Sequence, residues 1–354
     1  MIHLGQKHTK GGIGVKTEMK QSLRYRNVWL GFAMIWIMLA HSRFKVEAPW
    51  FHYLKMWGYG GVDFCLFASG IGCFFSLEKD SGKLRFWRRR VKRLAVPYLL
   101  VVIAWLVHKG VTVGLAGEAV LGNLLGIQYL MGKGNCFNWY ISGLVVYYLL
   151  APYLKAMADR ASGWGQAGVI AGLFLLTVPF WNGNHLLIIL SRLPVFYLGM
   201  IYAKGCREGK MLTWKQGALS AAAVAAGLAA LYLACTKAWE SLDARGLYWY
   251  PFFLIAPGGC VLLFLGAQWL ERCRLGRWIS KGLDTIGKHS FEIYLIHVPL
   301  YELLVELTAG WEWTLMQRNL FWLATLPVVA VCCAGLKAAE KLASAAAGKL
   351  KISG

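Results

Sequence analysis

The sequence has few charged residues for its length, and acidic residues are especially scarce. Only 16% of its 354 residues are charged, with 17 Asp and Glu against 38 Lys and Arg, whereas about 25% of the residues in a soluble domain are charged. Apolar residues reach 58%, and the mean hydropathy is +0.49. This composition excludes an ordinary water-soluble fold and favours an integral membrane protein.

The sequence also lacks any arrangement of cysteine or histidine with the spacing of metal ligands. Its nine Cys residues include no CxxC pair, and most lie inside apolar segments, where a thiol usually packs as a small apolar group. We therefore expect no metal cofactor. The net charge of +21 is spread over alternate loops and does not form one patch, so we expect no nucleic-acid partner. The oligomeric state stays open.

Apolar runs bounded by charged residues, Gly or Pro predict an all-α bundle of about ten transmembrane helices. A spanning helix needs about 20 mostly apolar residues, and the runs occupy nearly the whole chain. The segment Ala116–Met131 is short and interrupted by glycine, which predicts a re-entrant or interfacial piece. The predicted spans are Val28–His41, Trp57–Leu77, Leu94–Val113, Phe137–Met157, Gln166–Trp181, Leu186–Ala203, Gln216–Thr236, Tyr248–Leu270, Ile286–Thr308 and Asn319–Leu342.

Lys and Arg accumulate in the short cytoplasmic loops of membrane proteins. Here most of them fall in alternate segments, which predicts a multi-pass plasma-membrane protein with both termini in the cytoplasm. We expect a basic cytoplasmic N-terminal segment (1–27), a membrane domain (28–342) and a short cytoplasmic tail (343–354). The segments that carry most Lys and Arg residues are 1–26, 78–93, 155–165, 204–215, 271–288 and 337–354.

Five ionisable side chains within the predicted spans are selected as candidates for function, because a charge inside the membrane costs about 2.5–3.5 kcal/mol on insertion scales. His41 lies near the outer end of the first span, where a neutral imidazole can accept a proton from an alcohol. The alternative is a helix-end histidine that bonds a neighbouring helix or interfacial water. The five are His41, Asp63, Arg192, Glu292 and His297.

Asp63 and Ser69 lie in the stretch GGVDFCLFASGIG, whose glycines predict close helix packing that buries both side chains. Arg192 is expected one helical turn into its span, just before Pro194. Its side chain either extends to the outer interface or stabilises negative charge on a thioester oxygen or an anionic substrate group. His297 is either part of a hydrogen-bonded helix contact or a site residue. Trp139 and other tryptophans are expected in interfacial aromatic belts.

The segment RFWRRRVKR, Arg85–Arg93, is the densest basic cluster and is predicted to be a cytoplasmic loop. Such a cluster sets the membrane topology and contacts lipid headgroups. Arginine also holds phosphate groups through two parallel hydrogen bonds, so the same cluster is a candidate site for the phosphates of a nucleotide-bearing donor. Both interpretations stay open.

Six stretches occur in an order and spacing that together are specific. They are LGFAMIWIMLAHS (30–42), GGVDFCLFASGIG (60–72), RRRVKRLAVPY (88–98), NWYISGLVVYYLLAP (138–152), SRLPVFYLG (191–199) and IGKHSFEIYLIHVPL (286–300). In this order they resemble the acyltransferase-3 family of integral membrane acyltransferases, of the carbohydrate O-acetyltransferase type. The resemblance covers nearly the whole chain.

The resemblance implies transfer of an acetyl or other short acyl group from cytoplasmic acetyl-CoA or another acyl-CoA. The acceptor would be a hydroxyl of a cell-surface or lipid-linked carbohydrate that approaches from the outer side, and membrane lipid would be a further partner. The family's catalytic histidine falls on His41, and its arginines for coenzyme A phosphates fall on Arg90 and Arg93, with Arg88 and Arg89 in the same cluster.

Within this scheme we expect Arg192 to stabilise the oxyanion of the transition state, and Asp63 and Ser69 to orient neighbouring groups. Two departures from the family pattern matter. Leu30 stands where many members carry an arginine, eleven positions before the histidine, and Asn27 stands where aspartate is common. Those family roles therefore cannot be transferred, although Arg24 or Arg26 are candidates to replace the arginine.

The second departure is the absence of a glutamate after Trp139, where Leu144 and Val145 stand instead, so no carboxylate base can be placed there. Two other functions stay open. One is a transporter or exporter of a glycan or lipid-linked sugar, with His41, Asp63 and His297 as a polar pathway. The other is a structural subunit of an envelope assembly. Coenzyme A binding by the purified protein would separate the transferase from both.

Overall fold

The structure is a computed structural model that describes residues 17–133, 137, 139–181, 184–235 and 246–350. Within these ranges the chain is almost entirely helical. This confirms the predicted all-α polytopic bundle. The helical architecture follows from the apolar composition. A backbone surrounded by hydrocarbon must satisfy its own hydrogen bonds, and a helix does this within one segment.

The helices run in chain order with only short connections. One antiparallel pair of two-residue strands, β1 (Thr17–Glu18) and β2 (Met211–Leu212), joins the N-terminal segment to the connection after the tenth helix. The helices are α1 Met19–Ser22, α2 Arg26–His41, α3 Pro49–Met56, α4 Gly61–Lys79, α5 Lys83–Thr112, α6 Gly117–Leu124, α7 Trp139–Arg160, α8 Gly163–Leu175, α9 Leu187–Leu190, α10 Leu193–Arg207, α11 Trp214–Ala234, α12 Phe252–Leu270, α13 Arg274–Lys288, α14 Ser290–Leu307 and α15 Leu315–Leu350.

Among the described residues, eight helical stretches are long and apolar enough to cross a membrane. The other two predicted spans are also helices, α2 and α14. Helix α2 has 16 residues, and α14 carries three glutamates, so their crossing of the membrane stays a prediction. The eight stretches are Pro49–Lys79, Lys83–Thr112, Trp139–Arg160, Gly163–Phe180, Leu187–Arg207, Trp214–Ala234, Leu247–Leu270 and Leu315–Ala343.

The bundle has one end rich in basic residues, and the charge pattern predicts that this end faces the cytoplasm. This end holds Arg26, Arg93, Lys204 and Arg207, and we call it the inner end. The predicted segment 1–27 is described from residue 17 onward. The predicted tail 343–354 is described to residue 350, as the last turns of α15, and its remainder lies outside the described residues.

Helices α4 and α10 pack so closely at the centre of the bundle that their backbones touch. A Cβ atom added to Gly70 would lie 2.1 Å from the carbonyl oxygen of Phe196, and one on Gly199 would lie 2.2 Å from that of Phe67. Small residues permit this approach where lipid supplies no hydrophobic driving force. The contact fixes the position of Asp63 on α4 relative to Arg192, which immediately precedes α10.

Helix α13 is an amphipathic helix in what the sequence indicated only as a cytoplasmic connection. It packs against α2 through two glycines. A Cβ atom on Gly31 would lie 2.1 Å from the carbonyl oxygen of Leu283, and one on Gly287 would lie 1.8 Å from that of Asn27. The side-chain amide of Asn27 also donates to Asp284 over 3.0 Å. The two helices therefore form one unit at the inner end.

Replacing Gly287 with alanine should separate α13 from α2. Alanine normally stabilises a helix by about 0.5–1 kcal/mol relative to glycine, but here overpacking should reverse the sign and cost about 1–3 kcal/mol. Gly282→Ala in the same helix is the matched control, because an added Cβ would meet no heavy atom within 4 Å. Thermal unfolding of the detergent-solubilised variants measures the difference. Equal unfolding temperatures for the two variants would contradict this packing.

The prediction of a loop at Arg85–Arg93 is wrong, because these residues form the first turns of α5, which begins at Lys83. The apolar run marks where α5 enters the membrane, but arginine and lysine are good helix formers and continue the helix beyond it. The preceding turn is set by Asp80, whose carboxylate accepts a hydrogen bond from the amide of Gly82 over 3.0 Å. The arginines consequently occupy fixed faces of a helix.

The predicted span Leu186–Ala203 is not one continuous helix. Helix α9 ends at Leu190, and α10 begins at Leu193 with Pro194 in its first turn. Proline suits the first turn of a helix, whereas inside a helix it removes one backbone hydrogen bond and favours a kink or a break. The segment Ala116–Met131 contains α6, whose eight residues are too few to cross the membrane.

Candidate donor cavity and histidine pair

A cavity of about 660 Å³ extends into the bundle from the inner end, between α2, α4, α5, α7 and α14. Its volume lies in the range of small-molecule sites. Four basic side chains and two carboxylates, Glu292 and Glu340, line the cavity, and most of the other lining residues are apolar. Glu292 pairs with Lys337 over 3.4 Å. The basic side chains are Arg26, Arg90, Arg93 and Lys288. A molecule with an anionic end and a less polar arm matches this lining.

The arginines at the mouth are held in place by backbone carbonyl groups and aromatic rings. Arg90 donates to the carbonyl oxygen of Gly72 over 3.0 Å, and its guanidinium carbon lies 5.2 Å and 5.4 Å from the ring centres of Phe86 and Tyr148. Arg26 donates to the carbonyl oxygen of Ala68 over 3.4 Å. Neither of these contacts neutralises the charge, so both cations can still bind an anion.

The four predicted donor-binding arginines divide into two pairs. Arg90 and Arg93 line the cavity, whereas Arg88 and Arg89 are exposed and do not line it. Arg89 instead donates to Asp80 over 2.6 Å, and this hydrogen bond lowers the pKa of the Asp80 carboxyl group. Arg26, considered from sequence only as a replacement for a missing family arginine, lies with Arg90 and Arg93 at the mouth.

Ser69, Tyr140 and Tyr148 form a hydroxyl-bearing strip part of the way along the cavity wall. The three side chains line the same cavity from two helices, α4 and α7. The family-like stretch around Trp139 therefore contributes Tyr140 to the cavity, whereas the sequence pattern had predicted Tyr140 only as part of an interfacial aromatic belt. The strip offers donors and acceptors to amide groups of a bound molecule.

The deep part of the cavity ends beside two histidines that do not themselves line it. Ile37 and Tyr294 belong to the lining. Ile37 is one helical turn before His41, and Tyr294 is three residues before His297. The two imidazole rings are edge to face, with centroids 5.0 Å apart. His297 is buried, whereas His41 is exposed at the end of α2.

The hydrogen bonds of the two histidines define which ring nitrogen carries the proton. His41 Nδ1 lies 2.9 Å from the carbonyl oxygen of Ile37, and His297 Nδ1 lies 3.0 Å and 2.8 Å from those of Ile293 and Tyr294. A carbonyl oxygen only accepts, so each Nδ1 is the donor. In a neutral ring, Nε2 then carries the lone pair of a base.

The sequence identified His297 as polar within a span but gave no reason to place it against His41. Two ring nitrogens are available there: Nε2 of His297 is buried without a partner among the described residues, and Nε2 of His41 makes no hydrogen bond there either. Tyr301, with its ring centroid 6.1 Å from that of His297, packs on the other side of the pair.

Asp63 and Arg192 form a buried ion pair away from the cavity wall. Arg192 Nε donates to Asp63 over 3.2 Å, and the two side chains are 1% and 0% exposed. Arg192 Nη1 also donates to the carbonyl oxygen of Ile188 over 2.9 Å. The prediction that Arg192 extends to the outer interface is wrong, and so is its placement one turn into a helix, because Arg192 is the residue just before α10.

Two tryptophan rings enclose the guanidinium group of this pair. Its carbon lies 5.1 Å from the ring centre of Trp139 and 5.5 Å from that of Trp249. Trp139 is therefore a cation–π partner of Arg192, and its place in an interfacial belt stays a prediction. Arg192 Nη2 and one oxygen of Asp63 remain without hydrogen-bond partners among the described residues. The structure thus places Ser69 at the cavity, but neither Asp63 nor Arg192.

Within the described ranges, no group of three or more His, Cys, Asp or Glu residues is arranged to hold a metal ion. No curated protein and no solved structure matches the chain. Residues 27–337 match the family described as an acyltransferase domain, the acyltransferase-3 family. This match includes the histidine pair and the cavity lining except for Leu23, Arg26 and Glu340. The chain therefore belongs to the acyltransferase-3 family and is a multi-pass membrane acyltransferase.

Proposed function

We propose that this protein transfers an acetyl or other short acyl group from cytoplasmic acyl-CoA to a hydroxyl of a cell-surface or lipid-linked glycan. The observation that carries the proposal is the cavity itself. It joins arginines at the inner end to residues adjacent to the His41–His297 pair. An acyl-CoA has the matching order of groups, with phosphates at one end and the thioester at the other.

The donor's phosphates bind at the mouth. Arg90 and Arg93 on α5 and Arg26 on α2 approach this region from different helices, so a phosphate group there is held from more than one side. Guanidinium groups bind phosphate through charge-assisted hydrogen bonds. Arg88 and Arg89, outside the cavity lining, contribute to the electrostatic attraction of the donor and do not contact it.

The pantetheine arm lies along the hydroxyl strip. Its amide groups can exchange hydrogen bonds with Ser69, Tyr140 and Tyr148, which line the cavity between the mouth and the deep end. The remainder of the arm contacts apolar side chains such as Leu30 and Met34 on α2. The proposed role of Ser69 is therefore to position the donor, and not to react with it.

At the deep end, Nε2 of His41 accepts the proton of the acceptor hydroxyl. The hydroxyl oxygen forms a bond to the thioester carbonyl carbon, and the carbon–sulfur bond breaks. The proton held by His41 then passes to the departing thiolate, which leaves as free coenzyme A. The exposure of His41 at the outer end of α2 gives an acceptor access from the side opposite the donor.

The same lone pair also permits a two-step route. In that route Nε2 of His41 attacks the thioester carbonyl carbon and expels the coenzyme A thiolate, which takes a proton from solvent. The acceptor oxygen then bonds to the acyl carbon, the bond from that carbon to Nε2 breaks, and the hydroxyl proton passes to solvent. A burst of free coenzyme A in the absence of acceptor, equal to the amount of enzyme, would indicate the two-step route. Release of coenzyme A only when acceptor is present would indicate direct transfer.

The ion pair Asp63–Arg192 has a positioning role in this proposal. It links α4, which carries Ser69, to the start of α10. An oxyanion-binding role for Arg192 remains a proposal that requires its unpartnered Nη2 to reach the thioester oxygen. Replacement by lysine tests this, because lysine retains the charge and loses the directed N–H group.

The double variant Arg90→Gln/Arg93→Gln should raise KM for acetyl-CoA at least about tenfold with little change in kcat. The reason is that each lost phosphate contact is a charge-assisted hydrogen bond of about 1.5–3 kcal/mol. Lys83→Gln/Lys92→Gln is the matched control, since it removes two charges from exposed positions on the same helix outside the cavity. An equal increase in KM for both variants would mean that only overall charge matters.

The acceptor class has its own test. Glycans from cells with and without the gene are compared by mass spectrometry, and loss of an acyl increment from one glycan is the expected result. The His41→Ala protein should reproduce the loss. Unchanged glycans in both strains, combined with coenzyme A binding by purified protein, would keep the donor assignment and overturn the acceptor.

A further inference from the structure

Helix α13 presents a cationic face that the proposed transfer does not use. Arg274, Arg277, Trp278 and Lys281 follow one another at the spacing i, i+3, i+4, i+7, which places all four on one side of a helix. Together they line a pocket of about 300 Å³ at the surface. Every side chain that lines this pocket is a cation or an indole.

The acidic residues nearest in the sequence are occupied elsewhere. Glu271 accepts hydrogen bonds from Tyr25 over 2.8 Å and from Ser280 over 2.5 Å. Asp284 accepts from Asn27 and pairs with Lys288. In the described part of the chain, Arg274, Arg277 and Lys281 have no carboxylate partner, and Arg277 donates only to the backbone carbonyl of Glu271. The pocket therefore keeps its full positive charge.

The orientation of this face is fixed by the opposite side of the helix. Gly276, Ser280 and Gly287 are buried, and Gly287 lies against the backbone of α2. At about 100° per residue these positions lie opposite the cation pocket. The cations therefore point away from the protein and cannot turn inward without separating α13 from α2.

The flank of the cationic face is apolar and exposed. Leu275, Trp278 and Ile279 are 71%, 64% and 45% exposed. Helix α13 also follows directly on α12, a membrane-crossing helix that ends at Leu270 at the inner end. Helix α13 therefore has an apolar flank and a cationic face, and it begins where a membrane-crossing helix ends. A helix with these properties lies in the interface between headgroups and hydrocarbon.

We propose that α13 binds the headgroups of anionic phospholipids in the inner leaflet. The phosphodiester group lies among Arg274, Arg277 and Lys281, and the indole of Trp278 lies at the depth of the glycerol backbone. Leu275 and Ile279 contact the acyl chains. The cations supply the charge complementarity, and the contiguous apolar flank selects a lipid over a free phosphate ion.

This site is separate from the donor cavity although the two share one helix. The cation pocket occupies the first two turns of α13, whereas Lys288 at the other end, about 20 Å along the helix, lines the cavity. Because α13 and α2 touch at Gly31 and Gly287, a lipid held on α13 also holds the inner half of α2 in place.

The test uses the purified full-length protein in neutral detergent, titrated separately with phosphatidylglycerol, phosphatidylcholine and inorganic phosphate. Retained lipid is counted by native mass spectrometry, and stabilisation is followed by thermal unfolding. The variant Arg274→Gln/Arg277→Gln/Lys281→Gln removes three charges from the pocket. Lys79→Gln/Lys83→Gln/Lys215→Gln removes the same charge from exposed inner-end positions without ion pairs among the described residues.

The wild-type protein and the control variant should retain phosphatidylglycerol in preference to phosphatidylcholine, and the α13 variant should bind phosphatidylglycerol at least about tenfold more weakly. If the triple variant does not fold, Arg277→Gln and Lys281→Gln are measured singly, each with a severalfold loss expected. The proposal would be overturned if the α13 variants retained as much phosphatidylglycerol as the wild-type protein. It would also be overturned if inorganic phosphate alone stabilised the wild-type protein as much as phosphatidylglycerol does. Neither lipid retention nor thermal unfolding depends on acyl transfer. The lipid-binding proposal can therefore fail or succeed independently of the proposed function.

Discussion

Replacement of His41 by alanine is expected to lower acyl transfer from acetyl-CoA by about 10²–10⁴-fold, the contribution that a positioned general base usually makes. The protein should still fold, because the imidazole is exposed at the end of α2 and its one hydrogen bond is to the carbonyl of Ile37 within the same helix. Transfer of labelled acetyl groups in reconstituted vesicles is the measurement, with kcat and KM determined separately.

Two further variants test whether the loss of transfer is due to the basic nitrogen of His41. His41→Gln can still donate a hydrogen bond but has no basic nitrogen, so it should be as inactive as the alanine variant. His52→Ala removes another exposed histidine, from α3 on the outer side, and should transfer at the wild-type rate. A His41→Ala protein that is folded, inserted and fully active would remove His41 from the mechanism.

Breaking the ion pair of Asp63 and Arg192 should produce the largest loss of stability among single substitutions in the bundle. Removing one partner leaves the other charge buried and uncompensated, which costs about 3–5 kcal/mol. Arg192→Met keeps the length of the side chain and removes the charge, so Asp63 would remain between helices with no cation beside it. Chemical denaturation in mixed micelles measures the change in the free energy of unfolding.

The double variant Asp63→Asn/Arg192→Met should recover much of that loss, because no isolated charge remains. Removing the exposed pair Lys133–Glu118, whose side chains are 41% and 60% exposed, is the matched control and should cost no more than about 1 kcal/mol. Equal losses for the buried and the exposed pair would show that Arg192 does not depend on Asp63 for its burial.

Most membrane helices could be predicted from sequence because one physical requirement determines them. About 20 apolar residues are needed to cross the hydrocarbon, and few other structures produce such runs. Helix ends were less predictable. Helix α5 begins at Lys83, well before its apolar run, because helical hydrogen bonding continues in water, where hydropathy carries no information about it.

The sequence identified individual residues of the candidate site, but it did not predict which of them are in contact. The position of His41 in the outer half of a span identified it as a candidate base, and the polarity of His297 within a span marked it for attention. Their contact joins α2 to α14, far apart in the chain, and no local periodicity encodes it. The role of His41 stays a prediction until transfer by the variants is measured.

The pairing of Asp63 with Arg192 had a signal in the sequence that was not used. Opposite charges within apolar spans usually pair with one another, and this chain offers few such residues. Similarly, the cations of α13 have the spacing of one face of an amphipathic helix. The segment has low hydropathy, so it contains no long apolar run that would predict a helix there. Predicting the ion pair requires pairing opposite charges in different spans, and predicting α13 requires comparing the faces of a helix. Average hydropathy reveals neither.

An acyl-CoA bound at the inner arginines should place its acyl group beside the histidine pair. The most direct measurement uses an acyl-CoA analogue with a photoreactive diazirine at the end of the acyl chain, followed by mapping of the labelled peptides. Labels are expected on Ile37 to His41 of α2 and on Tyr294 to His297 of α14, with loss of labelling when acetyl-CoA is in excess. Specific labels confined to surfaces outside the cavity would show that the acyl group does not reach the histidine pair.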